Sequence, residues 1–398
     1  MCGIAGANWP GFRGEGTSGV VTSAKSPEKL VIEKLWKLPT GDGFGQLAMV
    51  GKDAVLFTQK DADEVAIKVN PVTGKSDWTT RIDKTIKDGN GNGPRTTPAI
   101  DGDRVYLYGT YMKIACLDLE TGKQVWQHDI VKDFGGKVLG WGNAASPVVV
   151  DDVVIVVGGG AGNGIIAFDK AKGTVKWAKT DDQQTHATPT VATIHGKQQV
   201  ICYMQSGLVS LDPKDGTVLW TFAHPYRTST AASPVVGGKN GDIVYCSAGY
   251  GVGAAACVVA KDGDDWTATG LWRTAGKNLS HWSTPVHYDG YLYGLFGHND
   301  RNGPLACLDM QTGEVKWSQR AFGSQGGLIL LGNKLLVQSN GDLVLVDASP
   351  TAFKELGRAN VLKGKNWTPP VFSDGNVFLR NSSSKDMTEP EVVCVKLK

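Results

Sequence analysis

Five stretches of this 398-residue chain share one pattern: an Asp or Asn, a Gly four residues on, and a Trp four beyond that. They run Asn70 to Trp78, Asp118 to Trp126, Asp169 to Trp177, Asp212 to Trp220 and Asp309 to Trp317. Self-similarity at a fixed spacing marks a repeat architecture. An apolar, strand-length run precedes most of them, as in Ile114 to Leu117 or Leu305 to Leu308. Asp and Asn side chains bond their own backbone two residues on, and Gly supplies the positive φ of a tight turn. A short strand then carries a large indole to one sheet face.

Upstream of these turns stand Thr97-Pro98, Ser146-Pro147, Thr188-Pro189, Ser233-Pro234, Thr284-Pro285 and Thr368-Pro369. Pro is tolerated as the first residue of a strand, where the ladder does not need its missing N–H. A third run follows, such as Val153 to Val157, so one unit holds four short antiparallel strands. Trp36, Trp78, Trp126, Trp177, Trp220, Trp272 and Trp317 mark successive units, with a degenerate one near Leu356. The last unit, from Thr368, has three strands, and Val31 to Leu38 is a fourth strand without the preceding three. Together they predict an all-β, eight-bladed β-propeller of four-stranded antiparallel blades, closed by the N-terminal strand. Residues 1–30 are expected to form an N-terminal arm and 31–398 a single propeller, with 31–38 completing the last blade. Closure removes sheet edges that invite aggregation.

The units resemble the tryptophan-docking repeats of quinoprotein-type (PQQ-like repeat) propellers. That superfamily holds both PQQ-dependent alcohol dehydrogenases and non-enzymatic, BamB-like outer-membrane assembly proteins. The opening Asn8-Trp9-Pro10-Gly11-Phe12-Arg13-Gly14 resembles the start of a large group of exported bacterial proteins of this kind.

Composition narrows the classes. Gly numbers 52 and charged residues only 20%, which suits many tight turns. A formal net charge of +2 gives no nucleic-acid footprint. No apolar run is long enough for a transmembrane helix. Residues 1–7 are too short for a secretory apolar region, and the family likeness implies a periplasmic or exported protein. Cys2 is a candidate lipid-bearing residue. The other cysteines are read as small buried hydrophobes; Cys116, Cys307 and Cys394 share one repeat position with Ala167 and Ser210. The loops 158–164, 249–253 and 262–265 are read as turns rather than phosphate or calcium sites, and the seven His show no zinc spacing.

The inner strands of a propeller line its channel, so residues just before each Ser/Thr-Pro are candidate ligand groups. Blade by blade these are Gln46, Arg95, Asn143 with Trp141, His186, Arg227, His281 with Trp282, Gln325, and Asn366 with Trp367. The ring is basic, amide-rich and aromatic, with Asp42, Asp181 and Asp182 a few residues away. A PQQ enzyme needs a divalent cation on oxygen ligands and a general base. The family's enzymes also carry two adjacent cysteines, which this chain lacks. The expected function is therefore a non-catalytic, monomeric scaffold of the cell envelope, BamB-like, with protein or glycan partners. No metal and no cofactor are expected. Two alternatives stay open: a PQQ-dependent oxidoreductase, alcohol dehydrogenase-like, with PQQ and calcium in a divergent site, and a sensor binding a small anion at Arg95, Arg227, His186 and His281.

Overall fold

The middle strands carry long apolar runs, and Val153–Val157 is buried at all five positions. Such strands must be covered on both faces, and neighbouring sheets do the covering. The computed structural model describes residues 8–22, 25–298, 302–384 and 389–398; Cys2 lies outside them. Eight antiparallel sheets follow one another, each a meander from inner to outer strand. Blades one to seven occupy 48–84, 99–129, 148–179, 190–223, 235–274, 286–319 and 327–360. Blade eight takes three strands from 371–397 and its outer strand from Ile32–Pro39, which pairs antiparallel with Glu391–Leu397. The ring is thereby an eight-bladed propeller.

The core is divided into layers between neighbouring blades. One cluster joins Val55 and Phe57 of blade one to Val105 and Leu107 of blade two. The next joins Tyr106 and Trp126 of blade two to Val154 and Phe168 of blade three. Each repeat turn forms as its residues dictate: Asp169 Oδ1 accepts from the N–H groups of Ala171 and Lys172 at 3.0 and 2.9 Å. Across five seams a Trp (Trp36, Trp78, Trp126, Trp177 or Trp272) lies on the Gly of the next blade's turn and donates its Nε1–H to a carbonyl there. Trp126 bonds Lys170 at 3.2 Å, Trp177 bonds Pro213 at 2.9 Å and Trp272 bonds Met310 at 3.0 Å.

Two features depart from a uniform repeat. Blades five and seven lack the repeat's Asp-x-x-x-Gly turn, and the outer hairpin of blade five, Gly253–Asp262 and Asp265–Thr274, is longer than the others. Trp220 of blade four therefore bonds Gln199 of its own blade at 2.8 Å, while Arg273 covers Phe222 across the seam. The outer strands do not simply alternate either. A one-residue bulge precedes the Trp, as between Lys34 and Trp36 or Gln124 and Trp126. The position opposite the Trp is small in six blades: Cys116, Ala167, Ser210, Ala256, Cys307 and Cys394. Among the described residues no helix is long and apolar enough to cross a membrane.

Candidate functional site

The channel has two mouths. One is bordered by the loops that lead from each outer strand to the next inner strand, the other by the short turns closing the inner hairpins. The Ser/Thr-Pro positions form a belt near the first mouth, and their hydroxyls explain why Ser or Thr stands there. Thr97 Oγ1 accepts from Gln46 N at 3.0 Å, Ser146 Oγ from Thr97 N at 2.9 Å and Thr188 Oγ1 from Ser146 N at 2.9 Å. Thr284 Oγ1 accepts from Ser233 N at 3.0 Å. At these four junctions a blade thus satisfies a backbone donor of the one before it, whereas Ser233 Oγ, buried without a protein partner, makes no such bond.

Most of the sequence-derived candidates meet this belt with their polar atoms engaged, while His281 Nδ1 and Asn366 Oδ1 are buried without a protein partner. Gln46 donates to the carbonyls of Pro369 and Pro370 and accepts from Arg13 N. Asn143 closes its own loop on Gly109 and Ala145. His186 bonds Ser229 Oγ at 2.7 Å and the Gly140 carbonyl at 3.0 Å, and burial holds its pKa below the usual imidazole value. Asn366 donates to Gly364 at 2.8 Å. Gln325 is partly buried and engaged. Trp141 and Arg227 are exposed, outside the belt.

Aromatic rings line the same mouth. Phe44 stacks on Trp367 at 5.4 Å and Trp367 on Trp282 at 5.3 Å, separations typical of offset stacking. The Arg95 guanidinium covers Phe44, and Lys365 Nζ lies over Trp367. His281 continues the array 5.2 Å from Trp282, with Tyr250 and His298 around it. Burial drives the His281 pKa down to about 3, so the ring is neutral. Sequence reasoning found Trp282, Trp367 and His281 but missed Phe44, Tyr250, His298 and Lys365. Tyr250 sits in the Gly249 to Gly253 turn, which borders the same mouth; that was the available signal.

A second missed motif is Asp88-x-Asn90-x-Asn92-Gly93, which has the spacing of a calcium loop. Its carbonyls face side-chain cations: Lys365 Nζ bonds Asn90, and Arg95 bonds Gly91 at 2.8 Å and also Gly93. The nearby carboxylates are engaged as well. Asp42 accepts from Ser383 N and Oγ. Glu64 is fully buried beneath Thr110, whose backbone N–H lies 3.0 Å from it, and burial pushes its pKa up to about 7. Among the described residues no group of three or more His, Cys, Asp or Glu is placed to hold a metal. This donor set does not fit a calcium-bound quinone, which wants several free oxygen ligands.

The opposite mouth is crossed by the N-terminal arm. Trp9 and Met49 exchange backbone bonds at 2.8 and 2.7 Å, and Ile100 N donates to Pro10 O at 2.7 Å. Val20–Val21 pairs parallel with Leu330 and Leu331 of blade seven. Arg13 is 1% exposed and donates to the carbonyls of Thr17, Ser18, Thr284 and Pro285. Burial lowers its pKa to about 9, which leaves it charged at neutral pH.

Both known functional branches of such propellers share this fold. The structure of BamB from Moraxella catarrhalis superposes with a TM-score of 0.64 over 92% of this chain and 98% of that one, at 16% identity. A quinohemoprotein alcohol dehydrogenase from Comamonas testosteroni superposes with a TM-score of 0.70 over 98% of this chain and 80% of that one, at 14% identity. At such identities the likeness shows the fold alone. Sequence separates the branches. The outer membrane protein assembly factor BamB of Moranella endobia (strain PCIT) is 23% identical over 298 residues, 72% of each chain. The profile of the family described as outer membrane protein assembly factor BamB matches residues 61–271, more than half of the chain. With the docked tryptophans and the ring now located, the chain belongs to that BamB family of PQQ-like repeat propellers.

Proposed function

We propose that this protein is a non-catalytic scaffold of the bacterial cell envelope, exported to the periplasm, that holds a protein partner during outer-membrane protein assembly. The observation that carries this reading is the state of the channel. Its loop mouth is lined by the Phe44, Trp367 and Trp282 stack, and Gln46, Asn143 and His186 are spent on structural bonds. Binding groups are then left to the outer surfaces and to the arm mouth, as suits a monomer that docks other chains. The test is genetic. A strain lacking this chain should accumulate less folded outer-membrane β-barrel protein, and the wild-type chain and His186→Ala should restore it equally. No loss in the deletion strain, or restoration only with His186 intact, would overturn the reading.

A further inference from the structure

Inner strands of a propeller present an unpaired edge to the channel unless something enters it. The arm is such an insertion, and it bonds along the inner strands of four blades. Trp9 pairs with Met49, Pro10 accepts from Ile100, Gly19 accepts from Leu330, and Thr17 Oγ1 accepts from Val191 N at 3.4 Å. The arm does not pair with Val235–Gly237, the inner strand of blade five, which remains the edge of its sheet. Val236 stands two residues after Pro234, as Ile100 stands two after Pro98, so its N–H corresponds to one the arm takes elsewhere. Against this strand lies a cavity of about 470 Å³ between the arm and blades four to six, within the usual ~300–1,000 Å³ of ligand sites. The turn after the strand spans five residues, 238–242, where the inner hairpins of the other blades use two.

The lining states what fits. Thr17, Val191, Thr193 and Val236 offer hydroxyls and small apolar groups. Arg13 has its guanidinium bonded to four carbonyls, so it is not the seat of an anion. His287 Nε2 accepts from the N–H groups of Gly238 and Gly290 at 3.0 and 3.1 Å. Its hydrogen is therefore on Nδ1, a donor suited to a carbonyl. Thr17 is β-branched yet held at φ +56, a strained conformation of the kind that collects at ligand clamps.

We propose that this cavity receives an extended, uncharged, Thr- and Val-rich segment of a partner polypeptide, which adds as a strand to the inner edge of blade five. Strand addition draws affinity from main-chain bonds and specificity from alternate side chains, the mode the arm already uses on blades one and seven. The inference rests on the scaffold reading and specifies the form in which a protein partner is held.

The probe is the blocked peptide acetyl-Thr-Val-Thr-Val-Thr-Val-amide, with a twin N-methylated at alternate residues, titrated into the full chain by calorimetry. Amide hydrogen exchange is read at residues 235–237. The expected result is binding with slowed exchange there, at least tenfold weaker for the N-methylated twin. Val236→Pro, a change tolerated at a sheet edge, should weaken it similarly while melting like the wild type. Equal binding of both peptides, or no protection at 235–237 with millimolar peptide, would overturn the proposal even if Val236→Pro failed to fold. Loss of peptide binding in a chain that still restores outer-membrane assembly would remove this inference and leave the scaffold reading standing.

Discussion

Gly216 and Trp177 meet across the seam between blades three and four. A Cβ on Gly216 would lie 2.7 Å from the indole, and the backbone there has φ +71. Gly216→Ala combines overpacking with a left-handed backbone, so a loss of roughly 2–4 kcal/mol is expected in denaturant titration. Trp177→Ala opens the same seam from the other side and should cost roughly 3–5 kcal/mol. If either variant kept wild-type stability, the Trp would not be a core residue. These contacts were legible because Gly and Trp recur in register; Trp220 and Trp317 keep that register yet meet no Gly, since blades five and seven lack the repeat's turn. Glu64 was illegible, because nothing in Val65 or Ala66 announces a buried carboxyl. Its folded pKa of about 7 lies above the unfolded value of 4.5. The native state thus keeps a proton that the unfolded chain releases, and stability falls as pH rises through that window. The cost reaches about 3 kcal/mol above pH 7. Glu64→Gln should flatten the decline between pH 5 and 8 and be the more stable protein at pH 8. Parallel pH profiles for the two proteins would show that Glu64 does not titrate in this range.

At the scale of elements, the arm is the part the sequence described least. The Trp9 to Gly14 motif was visible, but its partners are backbone carbonyls far along the chain, such as Thr284, 271 residues from Arg13. Carbonyls carry no sequence signature. The bulges before each Trp escaped for a related reason: apolar alternation is read from residue types, and a single extra residue changes pairing without changing pattern. The aromatic stack was half legible, since Trp282 and Trp367 stand within two residues of Thr284-Pro285 and Thr368-Pro369, while no Ser/Thr-Pro follows Phe44. Arg13 gives the arm its sharpest test. Arg13→Met keeps a long apolar stem but leaves carbonyls of blade six and of the arm without donors. Charge-assisted bonds contribute roughly 1.5–3 kcal/mol each, so a loss of about 3 kcal/mol and rapid proteolysis within residues 8–22 are expected. A protease-resistant arm in Arg13→Met would mean that Trp9 and Val20–Val21 hold it alone.

The whole molecule is a ring whose closure depends on one strand. Ile32–Pro39 completes blade eight, and Trp36 carries the seam on to blade one by bonding Pro71 at 3.0 Å. Arg380 reinforces the junction, fully buried and bonded to the carbonyls of Gly45 and Phe57 and to Thr58 Oγ1. Arm and closing strand lie next to each other in sequence but do different work, and two truncations separate them. A chain of residues 31–398 keeps the closing strand and loses the arm's contacts at one mouth together with those of Ser26 and Leu30 on blade seven. It should unfold in one cooperative transition at a lower temperature than the full chain. A chain of residues 41–398 also exposes the edge of Glu391–Leu397, uncovers the Gly74 turn of blade one and opens the layer between blades eight and one. Blades contact only their neighbours, so an open ring has two weak ends from which unfolding can spread. The second chain should therefore show a broad, probe-dependent transition and a tendency to aggregate through its free edges. Calorimetry alongside near-ultraviolet circular dichroism decides between them. A 41–398 chain melting as sharply as 31–398 would show that the seven intact blades hold their curvature without closure.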